Sequence, residues 1–198
     1  VINKQWNYTI GGTWRHFFNN SNLFFVMSRN HLDNTALKYL DYADENSQKI
    51  LDYKSEEIEN KTRLEYNFKR NGYSIIIGSN LEDATYTNNT NQIFTIGDSI
   101  ITGINNVNLH FIKYGAFTQI SKTYFENKLT SSFGLRIDGN SFTDNANSHN
   151  LSPRLSLAYN INSKTSINSN IGRFHQLPSY TILGFENNGN YLNQDAAY

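Results

Sequence analysis

Charged side chains recur at every second position of several short apolar stretches, and they are the residues best suited to chemistry. Residues two apart in a strand project from the same face, so neighbouring Arg and carboxylate side chains can pair bidentately across strands. Such a face would line water, dock another domain or guide a polar substrate, although solubilising a wet interior is the simplest role for any one residue. The residues that we predict for this face are Arg63, Glu65, Arg136, Asp138, Arg154 and Arg173.

Metal and nucleophile chemistry find little support in the sequence. The chain contains no cysteine, which excludes disulfides and thiolate sites. Its five histidines are scattered, and none has a partner at H-x-x-x-H spacing. There is no Gly-x-Ser-x-Gly motif to select a serine nucleophile. We therefore predict no metal, no cofactor and no enzymatic activity.

Composition excludes several further classes of protein. The 198 residues contain 17 basic and 17 acidic side chains, and this zero net charge argues against a nucleic-acid partner. Aromatic residues make up 14%, which is too many for a disordered polar chain. The longest apolar runs, such as 23–27, are far shorter than the roughly 20 residues of a membrane-spanning helix.

Apolar and polar residues alternate with period two along most of the chain, which indicates β-strands. The clearest run is 151–161, where Leu155 and Leu157 lie on one face and Arg154 on the other. The predicted strands are longer than the usual 5–6 residues and match the 9–11 residues of a tilted transmembrane strand. We therefore predict an all-β, antiparallel, up-and-down transmembrane β-barrel. The eight strands lie at about 5–18, 23–33, 61–70, 73–84, 110–123, 129–140, 151–161 and 165–176.

Short turn signals alternate with long polar stretches, as they do in outer-membrane barrels with tight periplasmic turns and long extracellular loops. The predicted extracellular loops are at about 34–59, 85–108, 140–150 and 177–198. Both ends of the chain would then lie outside the cell, whereas complete barrels normally begin and end in the periplasm. We therefore expect residues 1–198 to be part of a larger barrel.

The last predicted loop contains aromatic side chains suited to two roles. Tyr180, Phe185 and Tyr191 could stack on a sugar or an aromatic chelator from outside the cell. They could equally be anchors that pack the loop.

Four segments in a particular order resemble the barrel of TonB-dependent outer-membrane receptors, most closely those of the Bacteroidota type. They are Tyr114-Gly-Ala-Phe-Thr-Gln-Ile-Ser-Lys122, Phe133-Gly-Leu-Arg-Ile-Asp-Gly139, Leu151-Ser-Pro-Arg-Leu-Ser-Leu157 and Gly172-Arg-Phe-His-Gln-Leu-Pro-Ser-Tyr180. The first half of the chain is similar only in its pattern.

The resemblance implies a 22-stranded barrel of which this chain would supply about eight strands. It also implies outer-membrane lipid, a plug domain of the same parent chain and the TonB system as partners, and import of an unidentified small ligand such as a siderophore or glycan. Two alternatives remain open: a soluble Asn-rich β-protein, such as an adhesin or glycan-binding module, and a complete eight-stranded outer-membrane protein.

Overall fold

Eight long strands form one antiparallel sheet in the computed structural model, which describes residues 1–40, 48–143, 150–187 and 190–194. Each strand pairs with its neighbour in the chain, so the sheet has up-and-down order and the predicted fold class is confirmed. The strands are β1 (Ile2–Phe17), β2 (Ser21–Tyr39), β3 (Lys49–Arg70), β4 (Tyr73–Ile96), β5 (Ser99–Tyr124), β6 (Leu129–Asn140), β7 (Asn150–Asn162) and β8 (Thr165–Gly172).

The register of the sheet separates its side chains into two faces, because directly paired residues of antiparallel strands point to the same side. Trp14 pairs with Phe25, and Phe25 pairs with Leu64. We call the face that contains these residues the outer face. The adjacent residue of β2, Phe24, points to the opposite side of the sheet, where it pairs with Glu65. We call this side the inner face.

The outer face is apolar over the part of the sheet nearest to the tight turns. Large exposed side chains of this kind suit hydrocarbon, and membrane barrels carry an outward apolar band about 25 Å tall. We call this part the lipid band; it ends at the cross-strand row Met27–Thr62–Leu81, beyond which polar side chains predominate. Its exposed side chains include Trp14, Met27, Leu64, Ile77, Leu81, Ile120, Phe133, Leu155, Leu157 and Ile171.

The three central strands run well beyond the lipid band, with 22, 24 and 26 residues in β3, β4 and β5. The prediction of loops at 34–59 and 85–108 is therefore wrong for most of both ranges, since residues 49–59, 85–96 and 99–108 continue these strands. Residues 41–47 lie outside the described residues. The outer face of the extensions is largely polar, and their inner face is partly buried under the segment after β8, as at Tyr86 and Val107. The apolar–polar alternation of a membrane strand is therefore absent there.

Tight turns connect the strands at the end of the sheet next to the lipid band. Asn71 and Gly72, between β3 and β4, have φ values of 50° and 77°. Positive φ at both central residues is the type I′ geometry that suits the twist of a hairpin. At the opposite end, β4 and β5 are also joined by a tight turn, where Gly97 has φ 61°.

The segment after β8 folds back onto the inner face. We call residues 177–187 and 190–194 the tail segment; it contains the short helix α1 (Tyr180–Leu183) and the two-residue strands β9 (Glu186–Asn187) and β10 (Asn190–Tyr191). No helix of the described residues is long and apolar enough to cross a membrane. Together the tail segment and the sheet bury Ala84, Tyr86, Val107, Leu109, Phe111, Phe142, Tyr180 and Leu183.

Candidate functional site

A row of directly paired residues crosses the inner face at one level and contains two arginines and two phenylalanines. The pairing continues from β1 to β6 without interruption. Arg15 lies over the Phe24 ring at 4.6 Å, which is a cation–π contact. The row is Arg15, Phe24, Glu65, Gly78, Phe117 and Arg136.

Phe117 lies at the centre of this row because Gly78 leaves room for it. A Cβ atom at Gly78 would lie only 2.3 Å from the Phe117 ring. Arg63 and Arg136 both contact this ring, with guanidinium-to-centroid distances of 4.7 and 5.8 Å. The glycine therefore allows one aromatic ring to bridge two arginines on strands that are not neighbours.

Two of the arginines have carboxylate partners two residues away on the same strand, whereas the sequence predicts pairing across strands. Arg136 binds Asp138 through two hydrogen bonds, of 2.7 Å from Nε and 2.5 Å from Nη2. Its Nη2 also donates to Asn80 Oδ1 at 3.0 Å. Arg63 forms an ion pair with Glu65. These bonds run along a strand, so each pair is held in an extended geometry that presents it to the interior.

Arg154 differs from these arginines because it contacts an aromatic ring instead of a carboxylate. Its guanidinium lies 4.4 Å from the Phe174 ring centroid. Among the described residues, no carboxylate lies within ion-pair distance of it. Its aliphatic stem passes close to Gly172, where a Cβ atom would lie 3.0 Å from Arg154 Cγ. Arg154 is therefore a fixed positive charge on the inner face.

The structure does not bring Arg173 to the inner face. Its backbone N–H bonds the Pro153 carbonyl at 3.0 Å, which extends the β7–β8 ladder by one residue. Arg173 is two residues from Ile171, so its side chain points to the outer face as that of Ile171 does. It borders a surface pocket that Leu155 and Ile171 also line. The prediction of an inward side chain is wrong here, because the sequence alternation in this strand is too irregular to assign a face.

Tyr180 connects the tail segment to a charged cluster on the inner face. Its hydroxyl donates to Glu59 at 2.5 Å and accepts a hydrogen bond from the Lys113 ammonium at 2.6 Å. Lys113 also pairs with Glu82, and Lys61 pairs with Glu59 at 2.5 Å. The phenol thus completes a network that joins β3, β4 and β5, a role for which the sequence offers no signal.

The cluster lies beyond the lipid band, and its electrostatics follow from burial and hydrogen bonding. Burial disfavours the charge of Glu59, but hydrogen bonds from Lys61 and Tyr180 outweigh it and lower its pKa from 4.5 to about 2. Burial, reinforced by the hydrogen bond to the Glu59 carboxylate, raises the pKa of Tyr180 above its ordinary value of 10. The network therefore holds an ionised Glu59 against a protonated Tyr180.

The three aromatic residues predicted to contact ligand occupy different environments. Tyr180 is only 8% exposed, and its ring packs edge-on to Phe111. Tyr191 donates a hydrogen bond to the Asn108 carbonyl and contacts the Phe142 ring at 5.2 Å. Phe185 is 55% exposed. Tyr180 and Tyr191 thus pack the tail segment, whereas Phe185 has a free face.

A polar cavity of about 200 Å³ lies between the end of β8 and the inner face. Ser152, which is almost fully buried at its edge, lies 3.1 Å from Nδ1 of His175. Charges of both signs suit this cavity to water or a small polar group rather than to an apolar ligand. In the described part of the chain, no cluster of three potential ligands is arranged to hold a metal ion. The cavity is lined mainly by Glu82, Lys113, Arg136, Asp138, Ser152 and His175.

An apolar outer band and a charged inner face on an up-and-down antiparallel sheet define a transmembrane β-barrel architecture. The family model described as TonB dependent receptor-like, beta-barrel, matches residues 2–196. The chain therefore belongs to the TonB-dependent receptor β-barrel family, whose members are outer-membrane transporters and not enzymes. A search of characterised proteins found no match to this chain.

Proposed function

We propose that this chain is a segment of a receptor that imports a scarce nutrient, such as a siderophore or a glycan, across the outer membrane. The observation that carries the proposal is the family match over residues 2–196 on a sheet with one apolar and one charged face. In this proposal the lipid band lies in the membrane, the tight turns at Asn71 and Gly72 face the periplasm, and the extended strands project outside the cell.

Open edges of the sheet support the segment interpretation over a complete eight-stranded barrel. In the described residues the order runs from β1 to β8, and these two outermost strands do not pair with each other. Strand edges have unpaired N–H and C=O groups, which barrels eliminate by closure. Further strands of a larger barrel would satisfy both edges in the membrane.

The inner face has the chemistry to receive a plug domain of the parent chain. Arg154 and Arg15 have no carboxylate within ion-pair distance among the described residues, so they favour acidic or carbonyl-rich partners. The TonB system would act through the plug and not through this segment.

Ligand contact is proposed for the outer opening of the barrel, on the side of the tail segment. The exposed Phe185 ring is the aromatic surface offered to an incoming ligand, while Tyr180 and Tyr191 hold the segment that carries it. The polar cavity lined by Arg136 and His175 lies on the same side of the sheet, where it would meet a ligand that passes inward.

The test of this function is accessibility of cysteines placed at the two ends of the sheet in the full-length receptor. Asp98→Cys lies in the β4–β5 turn and Asn71→Cys in the β3–β4 turn, and the chain has no native cysteine. An impermeant thiol reagent on whole cells should label position 98 and leave position 71 unlabelled until the outer membrane is permeabilised. Equal labelling of both before permeabilisation would refute the transmembrane orientation.

A further inference from the structure

A continuous chain of polar side chains crosses five strands on the outer face, immediately beyond the lipid band. The Arg29 Nε donates to the Tyr8 hydroxyl at 3.1 Å, and its Nη1 donates to Asn60 Oδ1 at 2.9 Å. Asn60 Nδ2 in turn donates to Asp83 at 3.4 Å, and His110 lies 2.7 Å from the other Asp83 oxygen. We call these five residues the polar girdle.

Arg29 is the cation of the girdle that lacks an acidic partner. In the described residues no carboxylate lies within ion-pair distance of it, and its two hydrogen bonds go to a neutral phenol and a neutral amide. The Asp83 carboxylate is engaged by Asn60 and His110. The guanidinium has five N–H donors in a fixed fork, so Arg29 is oriented while several donors stay available to an anion.

An aromatic platform adjoins Arg29 on the same face. The rings of Trp6, Tyr8 and His31 form a triangle with centroid separations of 5.2 to 5.3 Å. Glu56 holds His31 through Nε2 at 2.8 Å. Trp6 nevertheless remains 59% exposed. An indole fixed by two neighbours offers a flat apolar surface at low entropic cost, which suits the C–H face of a sugar ring.

Neighbouring residues place this surface at the level of lipid headgroups. Ile10, an exposed outer-face residue, pairs directly with Arg29. Met27, also exposed, lies two residues from Arg29 at the upper edge of the lipid band. An anion bound by Arg29 would therefore have hydrocarbon directly beneath it, as the headgroup of a lipid does and a freely dissolved ligand does not.

We propose that Arg29, Trp6 and Tyr8 form a binding site for the phosphorylated sugar headgroup of an outer-leaflet glycolipid. Arg29 binds the phosphate through charge-assisted hydrogen bonds, and Trp6 packs against the sugar. The inference uses the membrane orientation of the proposed function but concerns the opposite face of the sheet. The cysteine-labelling experiment tests that orientation separately, so failure of one proposal is distinguishable from failure of the other.

The test uses the purified full-length receptor in detergent, with glycolipid bound per receptor measured by native mass spectrometry. The probes are lipid A with two phosphates, the same lipid after enzymatic dephosphorylation, and soluble glucosamine 1-phosphate. Arg29→Gln removes the proposed phosphate ligand. Arg15→Gln is the matched control, since it removes an arginine without a carboxylate partner from the inner face of the same hairpin. Unchanged heat-modifiable migration on gels establishes that both variants are folded.

We expect the parent protein and Arg15→Gln to bind phosphorylated lipid A alike, and Arg29→Gln to bind it about tenfold more weakly or worse. Trp6→Ala should weaken binding of the phosphorylated and dephosphorylated lipids alike, because its contact is with the sugar. Equal binding by Arg29→Gln and the parent would overturn the proposal. So would equal binding of dephosphorylated lipid by the parent, and competition by glucosamine 1-phosphate at similar affinity would indicate a site for soluble ligands instead.

Discussion

The hydroxyl of Tyr180 connects the tail segment to the inner face at the scale of a single atom. It accepts a hydrogen bond from Lys113 and donates one to Glu59, which is 121 residues away in the chain. Hydrogen bonds to charged groups contribute about 1.5–3 kcal/mol each, more than neutral ones. Leu183, at 0% exposure, and its neighbours in α1 supply apolar contact, but among the described residues only the phenol fixes the tail segment to the charged cluster.

Removing this hydroxyl should loosen the tail segment without disturbing the sheet. We expect Tyr180→Phe to ease opening of the tail segment by about 2 kcal/mol, or roughly thirtyfold in its opening equilibrium. Hydrogen exchange of the Leu183 and Gly184 amides, which bond within α1, reports this opening. Tyr124→Phe is the control, because no described group hydrogen-bonds its hydroxyl. Exchange of these amides at the parental rate in Tyr180→Phe would contradict this role.

The same network predicts that the tail segment is held most tightly at intermediate pH. The pKa of Glu59 is lowered from 4.5 to about 2, so its contribution is complete above pH 4.5 and is lost as the pH falls toward 2. The pKa of Tyr180 is raised, so its contribution is present below the ordinary value of 10 and declines as the pH rises above it.

Exchange rates of the α1 amides, corrected for their intrinsic pH dependence, should therefore rise at both extremes. Glu59→Gln should remove the rise in exchange at low pH, because glutamine does not titrate. The rise at high pH should become smaller but persist, because burial is the largest cause of the raised Tyr180 pKa and the Glu59 carboxylate adds to it. If Glu59→Gln left the rise in exchange rate at low pH unchanged, that rise would have to come from another carboxylate.

At the scale of the strand, Gly78 shows how one missing side chain organises the inner face. Gly78→Ala should destabilise the barrel by about 1–3 kcal/mol, the usual cost of overpacking, because the new methyl group meets the Phe117 ring. Gly12→Ala is the matched control, since a Cβ atom there has no neighbour within 4 Å. Thermal unfolding of the full-length receptor in detergent measures the difference. Equal midpoints would mean that Phe117 moves aside without cost.

The assignment of β7 side chains to the outer and inner faces gives a second prediction at this scale. Leu155 pairs with Phe133 on the outer face, whereas Ser156 pairs with Ser132 on the inner face. Leu155→Arg should cost about 2–4 kcal/mol near the membrane midplane and reduce assembly, while Ser156→Arg should be tolerated. Leu135→Arg, also on the outer face, should behave like Leu155→Arg. The amount of heat-modifiable barrel in outer membranes is the measurement, and similar amounts for all three variants would refute the assignment of faces.

Strands were predictable from sequence where lipid and water meet opposite faces. Residues 151–159 alternate cleanly because outward residues such as Leu155 must be apolar, whereas inward residues such as Arg154 meet water. Beyond the lipid band that requirement ends, so stretches such as 85–96 read as polar loops although they form strands. The spacing of Arg136 and Asp138 predicted that they share a face, but their pairing within one strand differs from the predicted pairing across strands. The contact between Tyr180 and Glu59 was not, because it depends on where a distant segment folds.

At the scale of the whole molecule, the strands of the sheet differ in how many neighbouring strands they pair with. The central strands β3, β4 and β5 are paired on both sides over much of their length, whereas β1 and β8 each have one neighbour in the described residues. An unpaired edge exposes every second N–H and C=O group of the strand. Among the described residues nothing pairs with these outward edges, so their protection against exchange requires a further partner.

This difference predicts how the isolated chain and the full-length receptor will compare. In detergent, β4 amides of the isolated chain should exchange slowly, while the outward-edge amides of β1 and β8 should exchange far faster. In the full-length receptor these edge amides should become as protected as those of β4, because neighbouring strands of a larger barrel would accept their hydrogen bonds. The inward-edge amides of β1, already paired with β2, are the internal control and should change little. Full protection of β1 and β8 in the isolated monomer would instead require these strands to pair with each other, which would support a self-contained eight-stranded barrel.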